Sequence, residues 1–128
     1  MFITVNFDDG DIVVDRVVLS ALKISGADGD VSLNNTQILG ALDVQLEDGD
    51  VTLKNTTLNG AIVLQDGDVR ISAHRDNIGK IETEIRGDGE VKYHAPGCAV
   101  NGRYLSCTQG KGKLRISVED GDVALEGL

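Results

Sequence analysis

One phrase recurs along this chain: DGDVSL at 28 to 33, DGDVTL at 48 to 53 and DGDVRI at 66 to 71. Looser copies, DGDIVV at 9 to 14, DGEVKY at 88 to 93 and DGDVAL at 120 to 125, spread it over almost the whole length. The intervals between successive copies are 19, 20, 18, 22 and 32 residues. A period near 20 is the mark of stacked repeats, each of which buries its apolar face only against its neighbours.

Within a unit, Val51 and Leu53 alternate with Asp50, Thr52 and Lys54, the two-residue period of a half-buried strand. Val31 with Leu33 and Val69 with Ile71 repeat it. A second strand is expected in ALDVQL at 41 to 46, AIVL at 61 to 64 and GKIETEI at 79 to 85, after an Asn/Thr/Gly corner such as KNTTLNG at 54 to 60. Two short strands and their corners leave no room for a crossover helix, and no 3.6-residue apolar period is present. A strand recurring one unit later pairs in parallel with its predecessor about 4.8 Å away. The expected fold is therefore all-β: a single-domain parallel β-helix over 1–128 with coils of about 20 residues, right-handed by the crossover rule. At 128 residues the chain is long enough to bury such a core without obligatory staples.

The DGD turns explain themselves by geometry. Gly29, Gly49 and Gly67 accept positive φ, and the preceding aspartate is expected to bond backbone just beyond it. Stacking then sets Asp30, Asp50 and Asp68 in one ladder and Asp28, Asp48 and Asp66 in another. Such ladders suggest calcium, yet two carboxylates about 4.8 Å apart in water repel by only about 0.9 kcal/mol. The calcium nonapeptide and EF-hand patterns are both missing. Turn chemistry is the preferred reading, with no metal or cofactor assigned.

The net charge of −9 disfavours a nucleic-acid partner, and no apolar run is long enough for membrane insertion as a helix. MFITVNFDDGD shows no basic-then-apolar export leader. His74 and His94 are two ligands without a third, which falls short of a zinc site. His94 and Cys107 do not sit in a recognised nucleophile setting. The sequons Asn34-Asn35-Thr36 and Asn55-Thr56-Thr57 fall in equivalent corners, which stacking explains better than glycosylation. Carbohydrate binding by ring stacking is disfavoured, because Phe2, Phe7, Tyr93 and Tyr104 are the only aromatics.

The 32-residue interval breaks the pattern. From Val91 to Val118 there is no acid, while Lys92, Arg103, Lys111, Lys113 and Arg115 supply +5; the whole chain's −9 less this +5 leaves −14 elsewhere. Within it, HAPGCAVNGRYLSCTQGKG suggests a hairpin-like excursion at 95–110. It is either closed by a disulfide between Cys98 and Cys107 or carries two free thiols. Lys92, Arg103, Tyr104, Lys111, Lys113 and Arg115 form the candidate contact surface.

The run of Gly-Asp-Val strand starts, the Asn-Thr corners and the closing GKGKLRISVEDGDVAL resemble the bacterial adhesin-type β-solenoid domains of unknown function. The resemblance implies a β-solenoid, an envelope or extracellular location and no catalytic residues to carry over. The favoured function is a non-catalytic structural or interaction module with an anionic cell-surface or protein partner. The alternative is a β-helix enzyme or binding protein acting on acidic polysaccharide, built around Arg70 and Lys92 near Asp68 and Glu90. With FITVNF and DVALEGL uncapped, a homo-oligomer through an end coil or edge strand is expected.

Overall fold

The computed structural model describes residues 2–74, 78–95, 98–101, 104–106 and 112–127. Among these, all regular structure is β. In chain order the strands are β1 (Phe2–Asp9), β2 (Ile12–Asp15), β3 (Val18–Leu19), β4 (Ala21–Asp28), β5 (Val31–Asn34), β6 (Gln37–Ile38), β7 (Leu42–Asp48) and β8 (Val51–Lys54). There follow β9 (Gly60–Asp66), β10 (Val69–Ala73), β11 (Lys80–Ile85), β12 (Val91–His94), β13 (Ala99–Asn101), β14 (Tyr104–Ser106), β15 (Lys113–Asp120) and β16 (Val123–Gly127).

These strands build two large sheets. The first runs β1-β4-β7-β9-β15-β11-β14-β13 and the second β12-β16-β10-β8-β5-β2. Each repeat gives one strand to either sheet, so a repeat forms a rung, and rung-to-rung pairing is parallel throughout. The expected two strands per repeat form two parallel sheets and not a closed helix. The third side holds only the two-residue pair β3 and β6, because the Asn/Thr corners spend their residues on turning.

Inward side chains align from rung to rung. Val5, Ile24, Val44, Ile62 and Ile116 form one row of the first sheet. Val14, Leu33, Leu53, Ile71 and Leu125 form the corresponding row of the second. Interior members such as Ile24, Leu33, Val44, Leu53 and Ile62 are wholly buried, whereas the end-rung residues Val5 and Val14 are only partly so.

The stacking order departs from the order of the chain. The last repeat does not close the stack: β15 lies between β9 and β11, and β16 between β10 and β12. The physical reason is in the side chains. β15 and β16 present Leu114, Ile116, Val118, Val123 and Leu125, all buried and apolar, which need a rung on either side. The β11–β12 rung carries Thr83 and Tyr93 at the ends of the two inward rows. Their hydroxyls meet at 2.6 Å, giving that terminal rung a satisfied polar pair. The outer edge of β11 is moreover occupied, because β14 pairs with it antiparallel and β13 pairs antiparallel with β14.

Candidate functional site

The acidic turns are the first candidate, and their chemistry is spent on the fold. Asp9, Asp28, Asp48, Asp66 and Asp120 stand in register across five strands. The turn-internal bond expected of the first aspartate is replaced by bonds from the second aspartate to the neighbouring rung. Asp11 Oδ1 accepts the Asp30 N–H at 3.2 Å, Asp30 accepts Asp50 at 3.0 Å, Asp50 accepts Asp68 at 2.9 Å, and Asp68 accepts Asp122 at 2.9 Å. Asp122 then accepts the Glu90 N–H at 2.9 Å. Each carboxylate thus holds the backbone of the next rung instead of bonding within its own turn. The glycine between is required by close stacking: Gly49 has φ +146, and a Cβ there would lie 1.8 Å from the Gly29 carbonyl oxygen. Among the described residues no group of three or more His, Cys, Asp or Glu is arranged to hold a metal ion.

Within the first acid row, Asp48 has a raised pKa. Partial loss of water around its crowded carboxyl comes first, although the residue is exposed; hydrogen bonding and repulsion from Asp28 and Asp66 add to it. Tyr93 is raised too, by burial of its ring, with the Thr83 hydrogen bond offsetting part of the effect.

The two sequons are stacked corners. Asn35 and Asn55 take left-handed backbone at φ 49 and 50, as Arg16 does at φ 56. Asn55 Nδ2 donates to Asn35 Oδ1 at 3.3 Å, and Thr56 Oγ1 lies 3.1 Å from the Leu33 and Lys54 carbonyl oxygens.

The basic residues divide between faces. Lys92 lies on the outside of the second sheet, 3.8 Å from Glu90. Arg70 is two strands away, with Ala124 in register between them. Across the small Ala124 side chain of β16, Arg70 and Lys92 line one dent of about 170 Å³ together with Asp68, Glu90 and Asp122. His74 follows β10 and His94 ends β12, so β16 separates them as well.

Lys113, Arg115 and Tyr104 share the outer face of the first sheet, where the sequence reading had not placed Lys80, Glu82 or Ala61. Lys80 stands directly beside Lys113, and Glu82 lies between Arg115 and Tyr104 in register. Arg115 meets Glu82 at 3.6 Å, while neither lysine has an acidic partner among the described residues. On the adjoining strand the outward position beside Arg115 holds only the methyl of Ala61, so the face sinks into a groove of about 720 Å³ that Gly60 also lines. Lys80 lies outside the acid-free stretch of the sequence, and only pairing of β11 with β15 brings it to this face.

Arg103, Lys111 and Cys107 lie outside the described residues. Cys98 is disulfide-bonded, packs against the core, and donates its backbone N–H to the Ala95 carbonyl at 3.1 Å. Within the expected 95–110 excursion, β13 and β14 are the described strands.

A family model, Toastrack DUF4097, matches residues 2–126. The chain belongs to the Toastrack DUF4097 family. No curated protein and no solved structure matches it. The match spans all six DGD-type turns, so the inserted last repeat and the hairpin-capped rung are parts of the Toastrack domain and not an appendage to it. Among the described residues of this Toastrack domain, no helix is long and apolar enough to cross a membrane.

Proposed function

We propose that this chain is a non-catalytic, adhesin-like interaction module of the bacterial cell envelope. It is a right-handed solenoid whose rungs of about 20 residues present flat outer faces to a partner. The observation that carries the reading is the pair Lys80 and Lys113, held side by side without acidic partners among the described residues on a molecule of net charge −9. Like charges on adjacent strands cost stability unless something offsets them, and an anionic partner surface offsets them. The engagement of the second-row aspartates by backbone N–H groups supports a structural over a catalytic use of those acids.

Self-association belongs to the same proposal. β1 and β2 are the outermost strands at one end of their sheets, and Phe2, Val13 and Val18 are exposed there at 81%, 67% and 61%. Such edges recruit further strands or a second copy.

Sedimentation with washed bacterial envelopes tests the module. The parent chain is expected to pellet with them at low salt, and the Lys80→Glu, Lys113→Glu double variant to stay in solution. No binding by the parent, or equal binding by both, would overturn the proposal.

A further inference from the structure

We infer that the groove over β9, β15, β11 and β14 binds an acidic glycan whose carboxylates lie on Lys80 and Lys113 and whose sugar ring stacks on Tyr104. The inference rests on the interaction-module reading and names the ligand class of that face.

Parallel pairing puts Lys80 and Lys113 on adjacent strands, about 4.8 Å apart along the sheet. Arg115 is two residues beyond Lys113 on the same face, about 7 Å along the strand. Three cations within that span suit anionic groups repeated at short intervals along a chain. Glu82 is the one opposing charge among the described residues of the groove. Through its 3.6 Å contact it holds Arg115 toward Tyr104, and it leaves the lysine pair as the anion-accepting end.

Three further observations select a sugar. Tyr104 is 56% exposed on a short strand, and its ring offers a flat face to the C–H side of a pyranose. Glu82 and Ser106 beside it are polar, and Ile81, Leu105 and Leu114, which also line the groove, are almost wholly buried, so a protein partner's anchoring side chain meets little of them. The floor at Gly60 and Ala61 gives depth without competing side chains, and about 720 Å³ falls within the span of ligand clefts. A count of four aromatics argues against stacking; one exposed ring placed beside paired lysines reverses that argument.

Titration calorimetry with a galacturonic acid oligomer, at 50 and 300 mM sodium chloride, tests it. Binding is expected at low salt and should weaken as salt rises. Lys80→Ala with Lys113→Ala should lower affinity about ten-fold or more, as expected for lost charge-assisted hydrogen bonds. Tyr104→Ala should weaken binding, and Tyr104→Phe should retain it, since stacking needs the ring and not the hydroxyl. All variants should keep the parent's circular dichroism spectrum, because the altered side chains lie on the outer face. A neutral galactose oligomer should not bind. A glutamate oligomer of equal charge that bound as tightly would overturn the glycan assignment. So would lysine-dependent envelope binding without any affinity for the galacturonate, an outcome that leaves the module itself standing. Equal affinity of the parent and the lysine double variant would remove the site.

Discussion

Asp48 shows how one residue type serves opposite ends in a single turn. Asp50, two residues later, stabilises the stack by accepting the Asp68 N–H, whereas Asp48 is crowded against Asp28 and Asp66 and holds its proton more tightly than an ordinary aspartate. A carboxyl whose folded pKa is raised favours folding at low pH, and that contribution is lost as pH rises through the folded pKa. Asp48→Asn is therefore expected to raise the melting temperature slightly at pH 7, where its amide donates to both neighbours in place of a repelling charge. The gain should disappear as pH falls through the carboxylate range, and should shrink in salt. Thermal melts of parent and variant across that range provide the measurement; a variant less stable at pH 7 would contradict the account. That the two aspartates differ was not legible in DGD itself, because their distinct partners sit 18 to 20 residues away.

At the scale of the element, the repeat is interchangeable in form but not in position. A repeat-length stretch in the middle of the run, residues 48 to 65 with β8 and β9, meets like neighbours on both sides, so removing it lets Asp66 take the place of Asp48 in the same register. The shortened chain is expected to fold with lower stability. Removing residues 112 to 128 takes out a rung that touches β9 and β10 on one side and β11 and β12 on the other. Hydrogen exchange by mass spectrometry should then show β11 and β12 unprotected while β4 and β5 remain protected. Undiminished protection in β11 and β12 would mean that they re-pair with β9 and β10 in chain order. Thr83 and Tyr93 occupy inward positions where the other repeats carry aliphatic residues, and a polar pair is cheapest at an end.

For the whole molecule, the two ends are unlike. One is finished by the antiparallel β13–β14 hairpin and the Thr83–Tyr93 pair; at the other, β1 and β2 lack outer neighbours among the described residues, and Ile3, Val5 and Phe7 are only partly covered. Light scattering is expected to give twice the 13.6 kDa chain mass at high concentration and low salt. A monomer under those conditions would defeat self-association, and dissociation by salt alone would assign it to charge segregation instead of the open edge. The strands, their inward and outward faces, the glycine turns and the parallel pairing were all written in the local spelling of the repeat, because alternation and turn chemistry act over a few residues. Near-identical repeats, however, pair almost equally well with one another, so local spelling leaves their order open. Burial decided it: the last repeat, whose inward side chains are all apolar, gains from an interior place, and the repeat with two inward hydroxyls tolerates the end. That choice alone sets Lys113 and Arg115 between Ala61 and the Lys80–Glu82 strand, so the candidate site belongs to the tertiary structure.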